Sequence, residues 1–522
     1  MNMKDKTDHQ IITPDEAIIE SIDETLRQHV CISTCKHLLI TEEKLKENRL
    51  AFSNTIQNLK KGDHILGYRI ISMEEMMRLQ DSVESLRQIT TADHSDMQKE
   101  VLKIIDDAIA CSASDIHFVK KDQRTLVLFR CLGDLDPETS PRLSQTADWG
   151  MSAMRCIYQS MTDVSGTQFS TSEPQDASMD RNRLPPSLFG ARIATTPIFS
   201  GHYMVIRLLY KGATTKTLAE LGYTKAHIHC LEYALRNPSG IVLIAGVTGS
   251  GKTTTLATAL NKVYDASEGK VNIVTVEDPV EFILPARQIA VTAEGDDARK
   301  AAYGRAVKAT MRLDPDVCMI SELRDETTIM QAIQLALTGH QVFSTVHALD
   351  TTSILPRLEM YGIPREVLAD NKLITALVAQ TLVKKLCPAC KISHEDAIEI
   401  KAIEERYVRH LNGVIDTDKV KYKGAGCSQC NHTGYSGRTV LAEVVLPDAK
   451  YMQHYRDGNR IAMRDHAFTH CGWISRHEHA RNLVQDGVID PRDAEAAIGP
   501  LTADRIESDH TITQSEIMGM WG

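Results

Sequence analysis

The chain has 522 residues, 42% of them hydrophobic and 25% charged, with a formal net charge of -10. That length suits three or four domains at about 150 residues each, and the ordinary apolar and charged content excludes a disordered, collagenous or coiled-coil chain. No run approaches the roughly 18 apolar residues of a membrane span, no apolar signal-like segment is expected after the polar start MNMKDKTDHQ, and the acidic balance argues against a general nucleic-acid binder.

Thr13-Pro14-Asp15-Glu16 carries a helix start, with Thr13 as cap, Pro14 at the first helical position and Glu16 completing a capping box. Ile18, Ile19, Ile22, Leu26 and Val30 then share one helical face. Further helices are expected from Thr41-Glu42-Glu43 and over 73–87, so residues 1–95 read as a small helical module. Cys31 and Cys35, at helical spacing, read as small buried residues there.

Residues 96–212 change texture. A helix over 97–110 leads into Ala113-Ser114-Asp115-Ile116-His117, and strands are expected over 125–130, 191–195 and 203–209. The Ser-, Asp-, Asn- and Pro-rich stretch 171–187 reads as loop, and 211–217 as a linker. This is a mixed α/β module. From 218 to 386 short apolar runs (241–245, 271–276, 317–320 and 341–346) alternate with helical stretches, the pattern of a buried, mostly parallel sheet. The cysteine-bearing segment follows over 387–445. Residues 446–522 read as a helical region with a polar, frayed end. No internal repeat is present.

Gly246-Val247-Thr248-Gly249-Ser250-Gly251-Lys252-Thr253 fits the eight-residue phosphate loop between an apolar strand and the helical run opening at Thr254, which is the context that the motif requires. Its glycines let backbone N–H groups turn towards phosphate, and the helix start adds a favourable dipole. Lys252 can reach the β- and γ-phosphates of a nucleotide, and the Thr253 hydroxyl can bind Mg²⁺. Glu277-Asp278-Pro279-Val280-Glu281 puts three carboxylates at the next strand's end, where α/β folds build their sites. The apolar run ending in Ser321-Glu322 presents another acid, suited to holding Mg²⁺ or polarising water. His340 and His347 flank a fourth strand and could donate to a γ-phosphate.

Cys387, Cys390, Cys427 and Cys430 form two CxxC pairs among the chain's 12 cysteines. Two such knuckles supply four thiolates, a closed tetrahedral site for which Zn²⁺ leads. A redox pair or unligated thiols are the alternatives.

The segments GVTGSGKTTTL, VTVEDPVEF, RLDPDVCMISELRD and ALTGHQVFSTVHALD resemble the Walker A, Asp box, Walker B and His box of the secretion traffic ATPases of type II secretion and type IV pilus systems. Ala113-Ser114-Asp115-Ile116-His117 resembles the opening of that family's second N-terminal domain, and the cysteine pairs with Gly434-Tyr435-Ser436-Gly437-Arg438 resemble its tetracysteine segment. The resemblance covers residues 95–495. It implies a RecA-like P-loop ATPase domain preceded by a PAS-like α/β domain, with the helical N-terminal module and a zinc-binding tetracysteine insertion. It further implies that Gly246, Thr248, Gly249, Ser250, Gly251, Lys252, Thr253 and Thr254 bind ATP and Mg²⁺, and that Glu277, Glu281, Glu322, His340 and His347 serve the reaction. Arg192 and Arg207, with Arg130 as a third candidate, match arginines that reach the nucleotide from the second domain. The implied assembly is a cytoplasmic homohexamer, peripheral at the inner membrane, acting on a polytopic platform protein and other pilus or secretion components, with no nucleic acid expected. Two departures stand out: Ser321 replaces the glycine usual before the Walker B glutamate, and Arg130-Cys131-Leu132-Gly133-Asp134 departs from Arg-x-Asp-Gly.

Within that family the tetracysteine segment and the extra N-terminal module favour an assembly motor over a retraction motor. A RecA-like nucleic-acid translocase or helicase is a rival that needs a basic, aromatic channel, and a nucleotide-gated interaction protein without turnover is another.

Overall fold

A computed structural model describes residues 11–12, 22, 26, 30–33, 36–41, 45, 48–61, 65–71, 96–135, 143–162, 168–211, 216–291, 296–404, 407, 411, 415–471 and 473–501. The chain divides into two compact units, Met1–Phe129 with Asp136–Leu208, and Arg130–Leu135 with Leu209–Gly522.

The helical reading of residues 1–95 is corrected by the first unit. Strands β1 (Ile11–Ile12), β2 (Val30–Ser33), β3 (His37–Thr41) and β4 (Gly67–Ile71) form a four-stranded sheet in that order, beside helix α1 (Arg49–Lys61). Val30 and Cys31 therefore lie in a strand, and Thr41 closes β3 instead of opening a helix. Ile22, Leu26 and Val30 do share one core, with Ile32, Leu38, Ile40, Phe52 and Leu59. Periodicity had found the burial but not the backbone: the β-branched Val30 and Ile32 favour a pleated surface once partner strands are present. The predicted helices at Thr13–Glu16 and 73–87, and Cys35, lie outside the described residues.

The rest of this unit carries α2 (Asp96–Ala110), β5 (Ala113–Lys121), β6 (Arg124–Cys131), β8 (Leu143–Thr146), α3 (Ala147–Ser160), β9 (Gln175–Ser178), β10 (Leu188–Ile198) and β11 (Gly201–Tyr210), while β7 (Asp134–Leu135) falls in the second unit. Its sheet runs β6-β5-β11-β10-β9, with β8 also on β6. Helices α2 and α3 both lie against β5. The stretch expected as loop contains β9, whose polar Gln175-Asp176-Ala177-Ser178 pairs antiparallel with β10 at the sheet's edge.

The second unit contains α4 (Lys225–Leu235), β12 (Gly240–Ala245), α5 (Lys252–Ala266), β13 (Ile273–Glu277), β14 (Arg287–Ala290), α6 (Asp296–Thr310), β15 (Val317–Ile320), α7 (Glu326–Leu337), β16 (Gln341–Val346), α8 (Thr351–Glu359) and β17 (Ile374–Leu386). After the short pair β18 (Ile392–Ser393) and β19 (Lys421–Tyr422) come β20 (Tyr435–Val445), α9 (Ala449–Arg456), α10 (Arg460–His470), α11 (Arg476–Gln485) and α12 (Pro491–Ile498). The main sheet runs β14-β13-β15-β16-β12-β17-β20, parallel throughout except that β20 is antiparallel to β17. Ile241, Leu243 and Ala245 pack into one core, Val242 and Ile244 into another. Burial on both faces is why these strands read as unbroken apolar runs. The expected cysteine segment over 387–445 is shorter in the structure, because 435–445 is a strand of this sheet. No helix among the described residues is long and apolar enough to cross a membrane.

Candidate active site

Because β12, β13, β15 and β16 are parallel, their C-terminal ends share one edge, where α/β sheets place ligands. Register pairs Ala245 with Val346 and Val276 with Ile320. The phosphate loop, Glu277 to Glu281, Ser321-Glu322 and His347 all open from that edge.

All three glycines of the loop have positive φ, and Gly246 and Gly251 show what a side chain would meet. Gly246 has φ +153°, and a Cβ there would come within 2.4 Å of the Gln380 carbonyl and of Ser250 Oγ. Gly251, at φ +83°, caps α5 in the left-handed region, where a side chain is strained. Lys252 Nζ donates to the carbonyls of Gly246 (2.8 Å) and Val247 (3.1 Å). Burial lowers its pKa, while the carboxylates of Glu322 and Glu281 oppose that shift, so both acids act on the ammonium. A cavity of about 330 Å³ opens beside Val247, Thr248, Gly249 and Ser250, with Lys384 and Arg438 in its wall.

The loop is anchored from behind by a residue that the sequence did not single out. Gln380, buried on β17, donates through Nε2 to Ser250 O (2.7 Å). Its Oε1 accepts from Thr255 Oγ1 (2.9 Å) on α5 and from Tyr223 Oη (2.5 Å). One amide therefore ties the sheet to the loop and to its helix.

The carboxylates differ in their surroundings. Glu277 is buried, its Oε1 accepting from Thr275 Oγ1 (2.7 Å) and Gln288 Nε2 (2.8 Å). Burial raises its pKa, and those hydrogen bonds offset the rise only in part. Asp278 is also enclosed, between Arg299 Nε (3.2 Å) and an Arg324 terminal nitrogen (3.3 Å). Glu322 is more open. Arg324 Nε donates to its Oε2 (2.9 Å), and His347 Nε2 lies 3.1 Å from its Oε1. Ser321 fits without displacing Glu322: its Oγ lies 3.0 Å from Tyr303 Oη, which also accepts from the Glu322 N–H (3.3 Å). Thr345 Oγ1 donates to Ser321 O at 2.6 Å, fixing this turn to β16.

The two histidines part company. His347 follows β16 at the site edge, whereas His340 precedes the strand, where Gly240 N donates to its carbonyl. Six residues at about 3.3 Å each put it roughly 20 Å from the site edge. Its Nδ1 lies 3.0 Å from Leu335 O and 3.1 Å from Thr338 Oγ1, contacts of a helix-to-strand turn. Within this chain His340 is therefore not part of the cluster.

Arg192 and Arg207 belong to the first unit. Arg192 sits on β10 opposite Ser178 of β9. Arg207 Nε donates to Asp115 Oδ1 (2.9 Å), and Ser114 Oγ donates to Asp115 Oδ2 (2.8 Å). The Ala-Ser-Asp-Ile-His motif thus supplies the carboxylate that holds Arg207. Arg130 donates to Gly133 O (2.8 Å), closing its own turn.

The four cysteines converge. Cys387–Cys427, Cys390–Cys430 and Cys427–Cys430 sulfurs are each 3.8 Å apart, and all four lie within 4.8 Å of one another. Four thiolates at about 2.3 Å from a tetrahedral Zn²⁺ are separated by about 3.8 Å, so the donor set fits that ion. N–H donors from Cys427 and Gly434, each 3.2 Å from Cys430 Sγ, with the Cys427 bond foremost, hold that thiol's pKa down at about 6.

A phosphate loop backed by acids at the ends of a parallel sheet defines a P-loop ATP hydrolase. The Type II/IV secretion system protein family model matches residues 90–495. The chain is 33% identical over 346 residues to the type II secretion system protein E of Aeromonas hydrophila, a match spanning 66% of this chain and 64% of that one. It is 32% identical over 377 residues to the type II secretion system ATPase E of Vibrio cholerae, covering 72% and 69%. The Legionella pneumophila ATPase DotB shares the fold, with a TM-score of 0.53, 18% identity and coverage of 75% of this chain and 93% of that one. The chain belongs to the Type II/IV secretion system protein family.

Proposed function

We propose that this protein couples ATP hydrolysis to the assembly of a type IV pilus or a type II secretion pseudopilus. It would work as a homohexamer at the inner-membrane surface, through a polytopic platform protein. The observation that carries the reading is the gathering of Lys252, Glu281, Glu322 and His347 on one sheet edge. Lys252 exchanges its two loop carbonyls for phosphate oxygens. Glu322, held on both oxygens, orients the attacking water, and His347 supplies a donor beside the transferred phosphoryl. Thr253 and the acidic strand ends would hold Mg²⁺, which would supply charge neutralisation on the phosphates. Arg192 and Arg207 offer permanent, planar donors to the same charge. Zn²⁺ on the four cysteines is structural, because four protein ligands leave no position for water. The names of the Aeromonas and Vibrio relatives support a secretion role, and the cysteine segment supports assembly.

Electron microscopy and a secretion assay on a host carrying only Glu322→Gln test this. Loss of pili or of secreted substrate is expected. Hyperpiliation would mean retraction. Unchanged pili and secretion, with DNA-stimulated ATPase of the purified protein, would put a translocase in its place.

A further inference from the structure

A second cluster of metal-ligating side chains lies away from both the phosphate loop and the four cysteines. Asp448 caps α9, its Oδ1 accepting from Tyr451 N at 2.8 Å. Both of its carboxylate oxygens also reach His466 Nε2 on α10, at 2.9 and 2.8 Å. Cys471 follows α10 directly, half-buried, and its Sγ joins those two donors within 4.8 Å. His470, one turn on from His466, stacks on it with ring centroids 4.7 Å apart and planes at 10°. His454 of α9 brings a third imidazole, its centroid 5.9 Å from that of His466.

We propose that Asp448, His466 and Cys471 form a second metal site, for a borderline divalent cation such as Zn²⁺. An Asp–His hydrogen bond would by itself explain the first pair as a staple between two helices. It does not explain a thiol at the third corner, within 4.8 Å of both other donors. The donor set is one oxygen, one nitrogen and one sulfur, which suits Zn²⁺ and disfavours Mg²⁺ or Ca²⁺. The frame is rigid, because Tyr451, Met452, Tyr455, Met463 and Ala467 bury the other faces of α9 and α10 in the main core. Binding moves the imidazole proton from Nε2 to Nδ1 and releases the thiol proton to solvent, while Asp448 exchanges its hydrogen bond for a metal bond. Three protein ligands leave a fourth position for water.

The test is metal stoichiometry on the purified full chain, stripped with chelator and dialysed against buffered Zn²⁺. His466→Gln and Cys471→Ser are each expected to hold one equivalent fewer than the parent, and Co²⁺ lost with them should show the spectrum of mixed nitrogen, oxygen and sulfur ligation. A paired Cys427→Ser, Cys430→Ser variant should retain this equivalent. Glutamine at 466 can still donate to Asp448, so His466→Gln should melt like the parent in metal-free buffer, while Zn²⁺ raises the melting temperature of the parent more than that of the variant. Unchanged stoichiometry in both His466→Gln and Cys471→Ser, or a loss that follows only Cys427 and Cys430, overturns the site.

Discussion

Replacing Gln380 by leucine removes an acceptor from Thr255 and Tyr223 and a donor from Ser250 O, all in a buried environment. Thr255 Oγ1 and Tyr223 Oη are 3.2 Å apart and can bond each other, so the lasting losses are the Ser250 carbonyl and one hydroxyl hydrogen. At about 1–3 kcal/mol for each buried group left unmade, Gln380→Leu should destabilise by about 2–6 kcal/mol. The consequence for function is more telling. Ser250 O is the point at which the loop is pulled onto β17, so a loop released there should bind phosphate less well. Gln380→Glu keeps the acceptor but buries a carboxylate against the Ser250 carbonyl, and should raise the KM for ATP with a larger loss of stability. Urea unfolding and steady-state ATPase assays well below the melting transition separate the two effects. A KM in Gln380→Leu within about twofold of the parent would show that Gln380 is packing alone and would refute its role in positioning the loop.

Lys252→Ala should weaken nucleotide binding by about 10- to 100-fold, the worth of one charged hydrogen bond, as read by fluorescent-nucleotide titration; unaltered affinity would put the phosphates elsewhere. Glu277→Gln tests the buried carboxyl. Its folded pKa is raised by burial, so its contribution is full below the unfolded value of about 4.3 and is lost as pH rises through the folded value. The glutamine variant should therefore gain stability over the parent towards neutral pH, with the gap closing below about pH 4. A gap that does not change with pH would contradict this. Cys427→Ser, or a strong chelator on the parent, should release zinc and lower the melting temperature, because metal binding there is folding free energy; a parent that carries no zinc would remove the four-cysteine site.

Much of the ATPase core was legible because its signals are local. The phosphate loop is contiguous, and strands buried on both faces announce themselves as apolar runs. What the sequence hid is long-range. Gln380 lies 130 residues from Ser250 and sits in β17, whose Leu-Val-Ala-Gln-Thr-Leu carries no motif. Arg324 and Asp278 were visible as charges beside recognised motifs, but their partnership crosses 46 residues. His340 and His347 differ for a related reason, standing at opposite ends of β16. They are close in sequence, yet a strand separates its two ends in space. In the N-terminal region, apolar spacing marked what is buried, and the pairing of β2 with β3 decided that it would be strand.

The arrangement around Glu322 makes one further demand. His347 reaches Oε1 and Arg324 reaches Oε2, so the carboxylate's orientation is fixed by two donors on different elements. Arg324 also bonds Asp278, which Arg299 grips from its other oxygen; losing Arg324 therefore leaves Asp278 with its second donor, whereas Glu322 keeps only His347. If Glu322 orients the attacking water, His347→Ala and Arg324→Ala should each lower kcat more than they raise KM. Their effects should also be non-additive, because both act through one side chain, and groups sharing a partner show coupling energies of about 0.5–3 kcal/mol. A double-variant cycle on ln kcat measures this. Removing either donor frees the carboxylate, so the second removal should cost less than the first. Strict additivity would mean that the two residues serve the reaction separately, His347 on the phosphate and Arg324 on the fold, and the geometry at Glu322 would then not be what sets the rate.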